Sequence, residues 1–340
     1  MRRMGFPEKP MFHIWPILAA SLLLACGSSS VLTTAPAKIR KLSFTSVTTI
    51  AEVPPGTKEL RIWVPKALAE TDQEVLADTL AVSAGAAAVV KTEHSAAPNA
   101  WYSVLVTAPQ GPVVLTQTIQ VQRTETLRKP KGPAGRDFTV AERTASAVHL
   151  AAHKLVPVGG PTLDPVIAAV GPGLKDPVEI AKAAYDFVLE RMRYSKDGTG
   201  WGRGDSDWAC DNKFGNCTDF HSLFMSIVRA KGIPARFVMG YPIPSARGEG
   251  TVGGYHCWAE FMLPGSTWVP VDISEADKNP ALADYYFGNL TEDRIACMRG
   301  RDIVLEPAPA SGAQNFIIYA LAEADGATVK TERKLSYKDN

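Results

Sequence analysis

The spacing of apolar residues changes character near residue 130, and this change limits the fold more than any other feature of the sequence. Between Leu42 and Leu127, short runs rich in β-branched residues alternate with Pro, Gly and Asn, which is typical of short strands. Beyond that point, residues 141–154 and 178–193 have apolar residues at helical spacing, and strand-like runs then return. We therefore predict an α+β fold in which a β-sandwich precedes a mixed core. The predicted strands are 43–50, 59–64, 88–92, 101–107 and 113–122, and later 235–241, 255–263, 267–273 and 315–321.

The same pattern, together with the Pro- and Gly-rich stretch around Lys129-Pro130-Lys131-Gly132-Pro133, divides the chain into segments. We predict a signal peptide at 1–25, a polar tether at 26–42, a β-sandwich domain at 43–127, a linker at 128–140 and a mixed domain at 141–340, whose chemistry is considered below.

The amino terminus is typical of an exported protein. A basic leader precedes the apolar run Ile17–Ala25, which is shorter than the ~20 residues that span a bilayer. The run ends in Leu23-Leu24-Ala25-Cys26 followed by glycine and serines, which resembles the lipobox of bacterial lipoproteins. We predict that Cys26 is acylated and anchors the protein to the bilayer of a bacterial cell envelope, on the periplasmic face if the cell is Gram-negative. The alternative is a secretory signal in which Cys26 is incidental.

Composition excludes some classes of function. The 36 Lys+Arg and 35 Asp+Glu residues give a formal net charge of +1, which offers no global field for nucleic acid, so we predict no nucleic-acid partner. The 46% hydrophobic content is that of a folded globular protein. Five scattered cysteines without a CxxC pair indicate neither a disulfide framework nor a zinc knuckle, so each cysteine is considered separately.

A helix is predicted directly after Cys217. It ends at Gly232, with Pro234 two residues beyond. A cysteine in the first turn of a helix meets unpaired N–H groups and the positive end of the helix dipole, which lower the pKa of its thiol. A buried, inert thiol is the alternative. The apolar face of this helix consists of Phe220, Leu223, Phe224, Ile227 and Val228.

A β-hairpin is predicted downstream, with its turn at Pro264-Gly265-Ser266. His256 and Asp272 lie symmetrically about residue 264. We therefore expect them to face each other within a residue or two, with about 5 Å between their Cβ atoms. A carboxylate at that place fixes the tautomer of the imidazole, and a cysteine nearby completes a nucleophile, a base and an orienting acid.

These motifs together resemble the transglutaminase-like superfamily, papain-like thiol enzymes, over about residues 176–275. The resemblance is closest to the exported bacterial branch, in which a β-domain precedes the catalytic core. It implies a helix carrying the cysteine packed on an antiparallel sheet carrying His and Asp, with Cys217 as nucleophile, His256 as general base and then acid, and Asp272 as the residue that orients His256. The motifs are Gly215-Asn216-Cys217, Gly232-Ile233-Pro234-Ala235-Arg236, His256-x-Trp258-x-Glu260 and Trp268-x-Pro270-x-Asp272.

The resemblance also implies an oxyanion hole that includes the backbone N–H of Cys217. In animal members a tryptophan upstream of the cysteine completes it. Tyr194, Trp201 and Trp208 are the candidates here, and each is equally well explained as a packing aromatic.

The remaining residues carry weaker expectations. Strand alternation assigns Cys257 to the core on the face opposite His256, and Cys297 has no assigned role. Cys210 could form a reversible disulfide with Cys217. Cys217 and His221 have a metal-ligand spacing but no second pair, so we predict no metal and no cofactor, and a packing or capping role for His221.

Two further sets of polar residues are assigned structural roles. Arg236 and Glu260 are expected to form a buried pair rather than to contact substrate. His94, His149 and His153 are interpreted as surface or packing residues.

A thiol site of this kind attacks the acyl carbon of an amide, forms a thioester and passes the acyl group to water or an amine. Family resemblance favours hydrolysis of a peptide or protein substrate, with transamidation of protein glutamine as the second interpretation. A catalytically idle binding or scaffolding lipoprotein is the third.

Overall fold

The computed structural model describes residues 36–83, 86, 88–93 and 98–340 of the chain. Among these residues, no helix combines the length and the apolar character needed to cross a membrane. The predicted signal peptide, Cys26 and His94 lie outside the described residues. Strands make up most of the regular structure and the helices fall between residues 140 and 282, which confirms the α+β class.

The regular elements follow the chain in three groups. The first contains β1 (Ile39–Ile50), β2 (Glu59–Pro65), β3 (Gln73–Val82), β4 (Ala88–Thr92), β5 (Ala100–Thr107), β6 (Val113–Thr124) and β7 (Thr126–Leu127). The second contains α1 (Val140–Ala145), α2 (Asp164–Ala169), α3 (Pro177–Arg191), β8 (Arg193–Tyr194), α4 (Ser206–Asn212), β9 (Phe214–Gly215) and α5 (Cys217–Ala230). The third contains β10 (Ala235–Pro242), β11 (Glu249–Thr251), β12 (His256–Leu263), β13 (Thr267–Val271), α6 (Ile273–Lys278), β14 (Asn289–Leu290), β15 (Arg294–Arg299), β16 (Leu321–Ala324), β17 (Ala327–Thr328) and β18 (Glu332–Asp339). Single 3-10 turns lie at Ala147–His149 and Pro280–Leu282.

Two five-stranded sheets build the strand-rich region. Their orders are β11-β18-β1-β6-β3 and β17-β16-β2-β5-β4. Every second residue of β1 is buried, as expected for a strand with one face on a core. Apolar residues of both sheets share one cluster, so the sheets pack face to face. Members of this cluster include Ile50, Leu60, Ile62, Val104, Leu115 and Ala322.

The last strands of the chain return to these sheets. β18 pairs with β1 along eight residues, and β16 pairs with β2. The domain boundary at 128–140 remains a prediction, but strand pairing changes which residues belong to the first domain. Residues 321–339 belong to the strand-rich region, although they follow the helices in the sequence. The last residues of the predicted tether also need correction, because β1 begins at Ile39 and pairs with β6 from that residue onward.

A second antiparallel sheet, ordered β13-β12-β10-β15, supports the helical part. α5 packs against β12 and β10, with α3, α4 and α6 around it. Every residue of α5 from Cys217 to Arg229 is buried. This helix is therefore the centre of the mixed half, by which we mean the helices together with the sheet β13-β12-β10-β15. Its first residue is Cys217, and the first residue of β12 is His256.

Two predicted elements differ clearly from the structure, and several observed strands, β3 among them, lie outside the predicted strands. The helix expected at 141–154 ends at Ala145, because the Ser146 hydroxyl donates to the Glu142 carbonyl at 2.6 Å and the chain then tightens into a 3-10 turn. The strand expected at 315–321 contributes only Leu321, since the Asn315 carbonyl accepts from the Arg301 side chain at 3.1 Å instead of from a neighbouring strand. β3 is absent from the predicted strands, because a register shift between Val75 and Ala77 interrupts its alternation.

Candidate active site

The start of α5 is built by a reciprocal cap. The Asn216 side chain accepts the N–H of Thr218 at 2.9 Å, and the Asp219 carboxylate accepts the N–H of Asn216 at 2.9 Å. Asp219 also accepts the N–H groups of Gly202 and Gly204 at 2.7 and 2.9 Å, which ties the preceding loop to the helix. The helix therefore begins at a defined residue, and that residue is Cys217.

Gly215 is needed for this cap. Its φ of 155° lies in the region that favours glycine, and a Cβ added there would collide with Oδ2 of Asp219. Only a residue without a side chain lets Asp219 fold back on the chain that precedes Cys217.

Cys217 is 2% exposed, and its backbone N–H has no acceptor among the residues that the structure describes. The N–H groups that begin a helix lack intrahelical partners. The neighbouring N–H of Thr218 is satisfied by Asn216, so the N–H of Cys217 is left available beside its own thiol. This is the donor expected for an oxyanion hole.

His256 and Asp272 are in direct contact. Nε2 of His256 and Oδ2 of Asp272 are 2.7 Å apart, and both side chains are almost completely buried. The β12–β13 ladder pairs Ala259 with Val271, so the hairpin is symmetric about residue 265, one residue later than expected. Asp272 lies beyond this ladder and caps α6, accepting the N–H of Glu275 at 3.2 Å.

The charges of the site support one another. Burial opposes protonation of His256, but the Asp272 carboxylate and the Cys217 thiol outweigh it and raise the pKa of His256 to about 10. Burial also opposes ionisation of Cys217, yet hydrogen bonding from Cys257 and His256 holds the pKa of the Cys217 thiol well below its ordinary value. The pKa of Asp272 is likewise lowered, because burial is outweighed by His256 and Arg294. Both shifts favour a thiolate beside an imidazolium.

Two polar side chains hold Asp272 in place. Nη1 of Arg294 donates to Oδ2 at 3.0 Å, so this oxygen is shared between Arg294 and His256. The Ser274 hydroxyl donates to Oδ1 at 3.2 Å. With these partners and the α6 cap, both carboxylate oxygens are occupied and the carboxylate has one orientation.

His221 links the cysteine to the aspartate segment. Its Nδ1 lies 2.7 Å from the Cys217 carbonyl, and its Nε2 accepts the N–H of Ile273 at 3.0 Å. These partners require Nδ1 to carry the hydrogen and Nε2 the lone pair. Burial lowers the pKa of His221 to about 4, so the ring is neutral. The predicted packing or capping role thus has a specific form, a bridge from the start of α5 to the start of α6.

The other cysteines differ in part from expectation. Cys257 is buried, but it does not lie behind the site: its Sγ is 3.7 Å from Nδ1 of His221, and it is near enough to Cys217 to contribute to the lowered pKa of that thiol. The reason is that α5 packs on the face of β12 that carries Cys257. Cys210 is a free thiol whose Sγ lies 3.8 Å from the Thr162 carbonyl, and Cys217 is also free, so no disulfide joins the two. Cys297 is a buried free thiol.

The three oxyanion-hole candidates are separated by the structure. Trp201 donates its indole N–H to the Gly198 carbonyl at 3.1 Å, and Trp208 packs edge-on against Phe214. Tyr194 lies close enough to Cys217 for a thiolate there to contribute to its raised pKa of about 12, although burial is the larger cause. The Tyr194 hydroxyl has no hydrogen-bond partner within the described part of the chain. Among the three, Tyr194 remains the candidate.

The predicted Arg236–Glu260 pair is confirmed. The two residues face each other across β10 and β12, and Nε of Arg236 lies 2.5 Å from Oε2 of Glu260. His149 and His153, expected at the surface or in packing, line a cavity that is described below.

Three further side chains of the site were not predicted from the sequence. Arg294 follows Asp272 by 22 positions and carries no local signal. Tyr255, whose hydroxyl accepts the Asn216 amide at 3.0 Å, precedes His256 and could have been found from that adjacency. Glu275, 4.0 Å from His256, lies one turn after Asp272.

Comparison with known proteins supports the assignment of this region. Residues 167–273 match the family model described as the transglutaminase-like superfamily. A protein of Haemophilus influenzae, described as uncharacterized, is 30% identical over 183 residues, which cover 44% of this chain and 50% of that protein. Protein YebA of Bacillus subtilis, also described as uncharacterized, is 27% identical over 114 residues, which cover 29% of this chain and 16% of that protein. The chain therefore spans half or less of the length of these curated relatives.

The fold has a counterpart among solved structures. A protein of Cytophaga hutchinsonii, described as a candidate cysteine protease, matches with a TM-score of 0.61 at 12% identity. The match covers 89% of this chain and 98% of that chain, so the strand-rich region and the mixed half occur together in both folds. The chain therefore contains a region, residues 167–273, that matches the transglutaminase-like superfamily, and its fold is shared with that solved structure.

Proposed function

We propose that this chain is a thiol enzyme that cleaves an amide bond of a peptide or protein through a thioester on Cys217. The observation that carries the proposal is the arrangement at the start of α5. It combines the Cys217 thiol, whose pKa hydrogen bonding from Cys257 and His256 lowers, with a backbone N–H that lacks an acceptor among the described residues and with an imidazole held by a buried carboxylate.

The chemistry follows from these roles. The Cys217 thiolate attacks the carbonyl carbon, a C–S bond forms, and the oxygen takes up the negative charge beside the N–H of Cys217. Collapse of this intermediate breaks the C–N bond, and the leaving amine takes the proton from the His256 imidazolium. Water then attacks the thioester and loses its proton to His256, which releases a carboxylic acid and restores the thiolate–imidazolium pair. A primary amine in place of water would instead form a new amide.

Hydrolysis and transfer are distinguished by one experiment. Casein is incubated with the protein in the presence of a labelled primary amine, and the peptides are analysed by mass spectrometry. We expect new peptide termini and little amine incorporation, with both signals absent in Cys217→Ala. Cys210→Ala is the matched control, because this thiol contacts the Thr162 carbonyl and not the site.

Two results would contradict the proposal. Amine incorporation at glutamine without new termini would make the protein a transamidase. Identical digests from the unchanged protein and from Cys217→Ala would favour the idle binding or scaffolding alternative.

We further propose that the protein is exported and anchored through an acylated Cys26. Support comes from the sequence alone, in which a basic leader and a short apolar run end at Leu23-Leu24-Ala25-Cys26. Labelling of cells with a radioactive or clickable palmitate should mark the protein and should fail in Cys26→Ala. Export of unlabelled protein would favour a plain secretory signal.

A further inference from the structure

A cavity of about 960 Å³ lies at the end of α5 opposite to Cys217. None of the three triad residues lines it, whereas Arg229 of the last turn of α5 does. Arg229 follows Cys217 by twelve positions in α5, which amounts to about 18 Å along the helix axis. The cavity has the size of a small-molecule site and is distinct from the candidate active site.

Two buried arginines form the floor of this cavity. Arg229 donates to the Ala235 carbonyl at 2.6 Å, and Arg301 donates to the Ser222 hydroxyl at 2.6 Å. Both side chains are buried, yet neither forms a salt bridge with a carboxylate of the described residues. Buried charges without a counter-charge are costly, so the floor favours an anion in the space above it.

Two more arginines present hydrogen-bond donors to the cavity. Arg236 lies over the ring of Trp268, 4.1 Å from its centroid, and uses only its Nε on Glu260, so its two Nη groups have no acceptor in the described part of the chain. Arg299 has Nη2 3.0 Å from Glu70, while its Nε is buried without a partner among the described residues. A carboxylate, like a phosphate, is an acceptor that a guanidinium binds with two hydrogen bonds.

Three of these guanidinium groups act on a histidine in the lining. Burial lowers the pKa of His149 to about 4, the neighbouring Arg236, Arg229 and Arg299 lower it further, and Glu260 opposes them. Two carboxylates outside the lining, Glu260 and Glu70, pair with Arg236 and Arg299. The three carboxylates within the lining either have other partners or are exposed. Glu93 accepts the Asn99 amide at 3.0 Å, Asp302 accepts the N–H of Lys154 at 2.7 Å, and Glu306 is exposed.

The edge of the cavity is apolar. Val148 and Val304 are 67% and 69% exposed, which is unusual for valine, and both line the cavity. Trp268 forms part of the wall, with His149 edge-on to it at 4.9 Å. The lining thus has guanidinium groups at depth and apolar groups at the mouth.

We propose that this cavity is a binding site for an amphiphilic carboxylate, with the carboxylate on Arg236 and Arg299 and an apolar body along Trp268, Val148 and Val304. Two sources share this chemistry, a fatty acid and the free carboxyl end of a short apolar peptide. The site is independent of the amide-cleaving function proposed above.

The test is isothermal titration calorimetry on the purified protein. The probes are octanoate and acetyl-Leu-Phe with a free carboxylate, each compared with its neutral amide. We expect at least one carboxylate to bind about tenfold or more tightly than its amide, and the tighter of the two carboxylates identifies the source.

Variants at the mouth leave the packed interior unchanged. Val304→Glu places a negative charge beside the carboxylate path and should weaken binding about tenfold, whereas the neutral Val304→Gln should weaken it much less. Val140→Glu is the matched control, because Val140 is 83% exposed and lies outside the cavity. Equal affinity for carboxylates and amides, no binding of either carboxylate, or an unchanged affinity in Val304→Glu would each overturn the proposal.

Discussion

Nε2 of His256 and Oδ2 of Asp272 are 2.7 Å apart, although Asp272 lies outside the strand ladder that carries His256. The contact is made by the first residue of β12 and by the cap residue of α6. Because Arg294 donates to the same carboxylate oxygen at 3.0 Å, the aspartate remains ionised and the imidazole beside it retains its proton. We propose that the reactivity of Cys217 depends on this relationship, and the predictions below test the site.

Alkylation of Cys217 by iodoacetamide should be fast well below pH 8.5, the ordinary pKa of a free thiol. The thiolate–imidazolium pair exists above the lowered pKa of Cys217 and below the pKa of His256, which is about 10. The rate should therefore form a plateau between these limits. His256→Ala removes the counter-charge, so the rise in rate should move to higher pH. A Cys217 rate profile that coincides with that of denatured protein would contradict this prediction.

Asp272→Asn should lower kcat/KM for amide cleavage by roughly a thousandfold. The amide keeps the cap on α6 but cannot stabilise the imidazolium, so the pKa of His256 falls and the thiolate is lost at neutral pH. The variant should melt near the temperature of the unchanged protein, measured by circular dichroism. Asp186→Asn, which breaks an exposed pair with Lys182, is the control and should retain full activity. Comparable activity in both variants would remove Asp272 from the mechanism.

His221→Phe should lower the free energy of unfolding by about 2–4 kcal/mol, measured in urea. The substitution leaves the Cys217 carbonyl and the Ile273 N–H buried without their partners, at places now 2.7 and 3.0 Å from the ring nitrogens. His221→Gln can supply a donor and an acceptor and should recover part of the loss. If the two variants are equally stable, the bridge does not contribute to folding.

Gly215→Ala should destabilise the protein by about 2–3 kcal/mol and slow alkylation of Cys217. A methyl group there would meet Asp219 and displace the cap that defines the start of α5. Gly132→Ala is the matched control, since a methyl group at that residue would have no other atom within 4 Å and its φ is ordinary. An unchanged midpoint in the urea titration of Gly215→Ala would show that the cap tolerates a side chain.

Local patterns predict much of the mixed half. The helix predicted after Cys217 extends from Cys217 to Ala230, because its apolar spacing, cap residues and terminal glycine all agree. The turn residues predict the hairpin, and its register differs by one residue at the centre of symmetry. That difference matters little for the site, since Asp272 reaches His256 from the cap of α6 and not from the ladder.

Contacts between residues that are far apart in the sequence cannot be predicted from local patterns. Nothing near residues 321–339 predicts that they return to β1 and β2, because strand pairing depends on which edges remain open after the rest has folded. Alternation assigns Cys257 to the face opposite His256, but it does not specify which face a helix will cover. Likewise, the sequence does not show which of Tyr194, Trp201 and Trp208 lies near Cys217, because this depends on the three-dimensional path of the loop before α5.

The sequence by itself determined the identity and local setting of the three residues of the proposed triad, since capping, periodicity and turn chemistry act over a few neighbouring residues. Only the tertiary structure decided which groups surround them. Arg294 donates a hydrogen bond to Asp272, and His221 bridges the first residues of α5 and α6. Four arginines line the cavity at the far end of α5. Such groups come from distant parts of the chain, and their proximity follows from the packing of sheets and helices on one core.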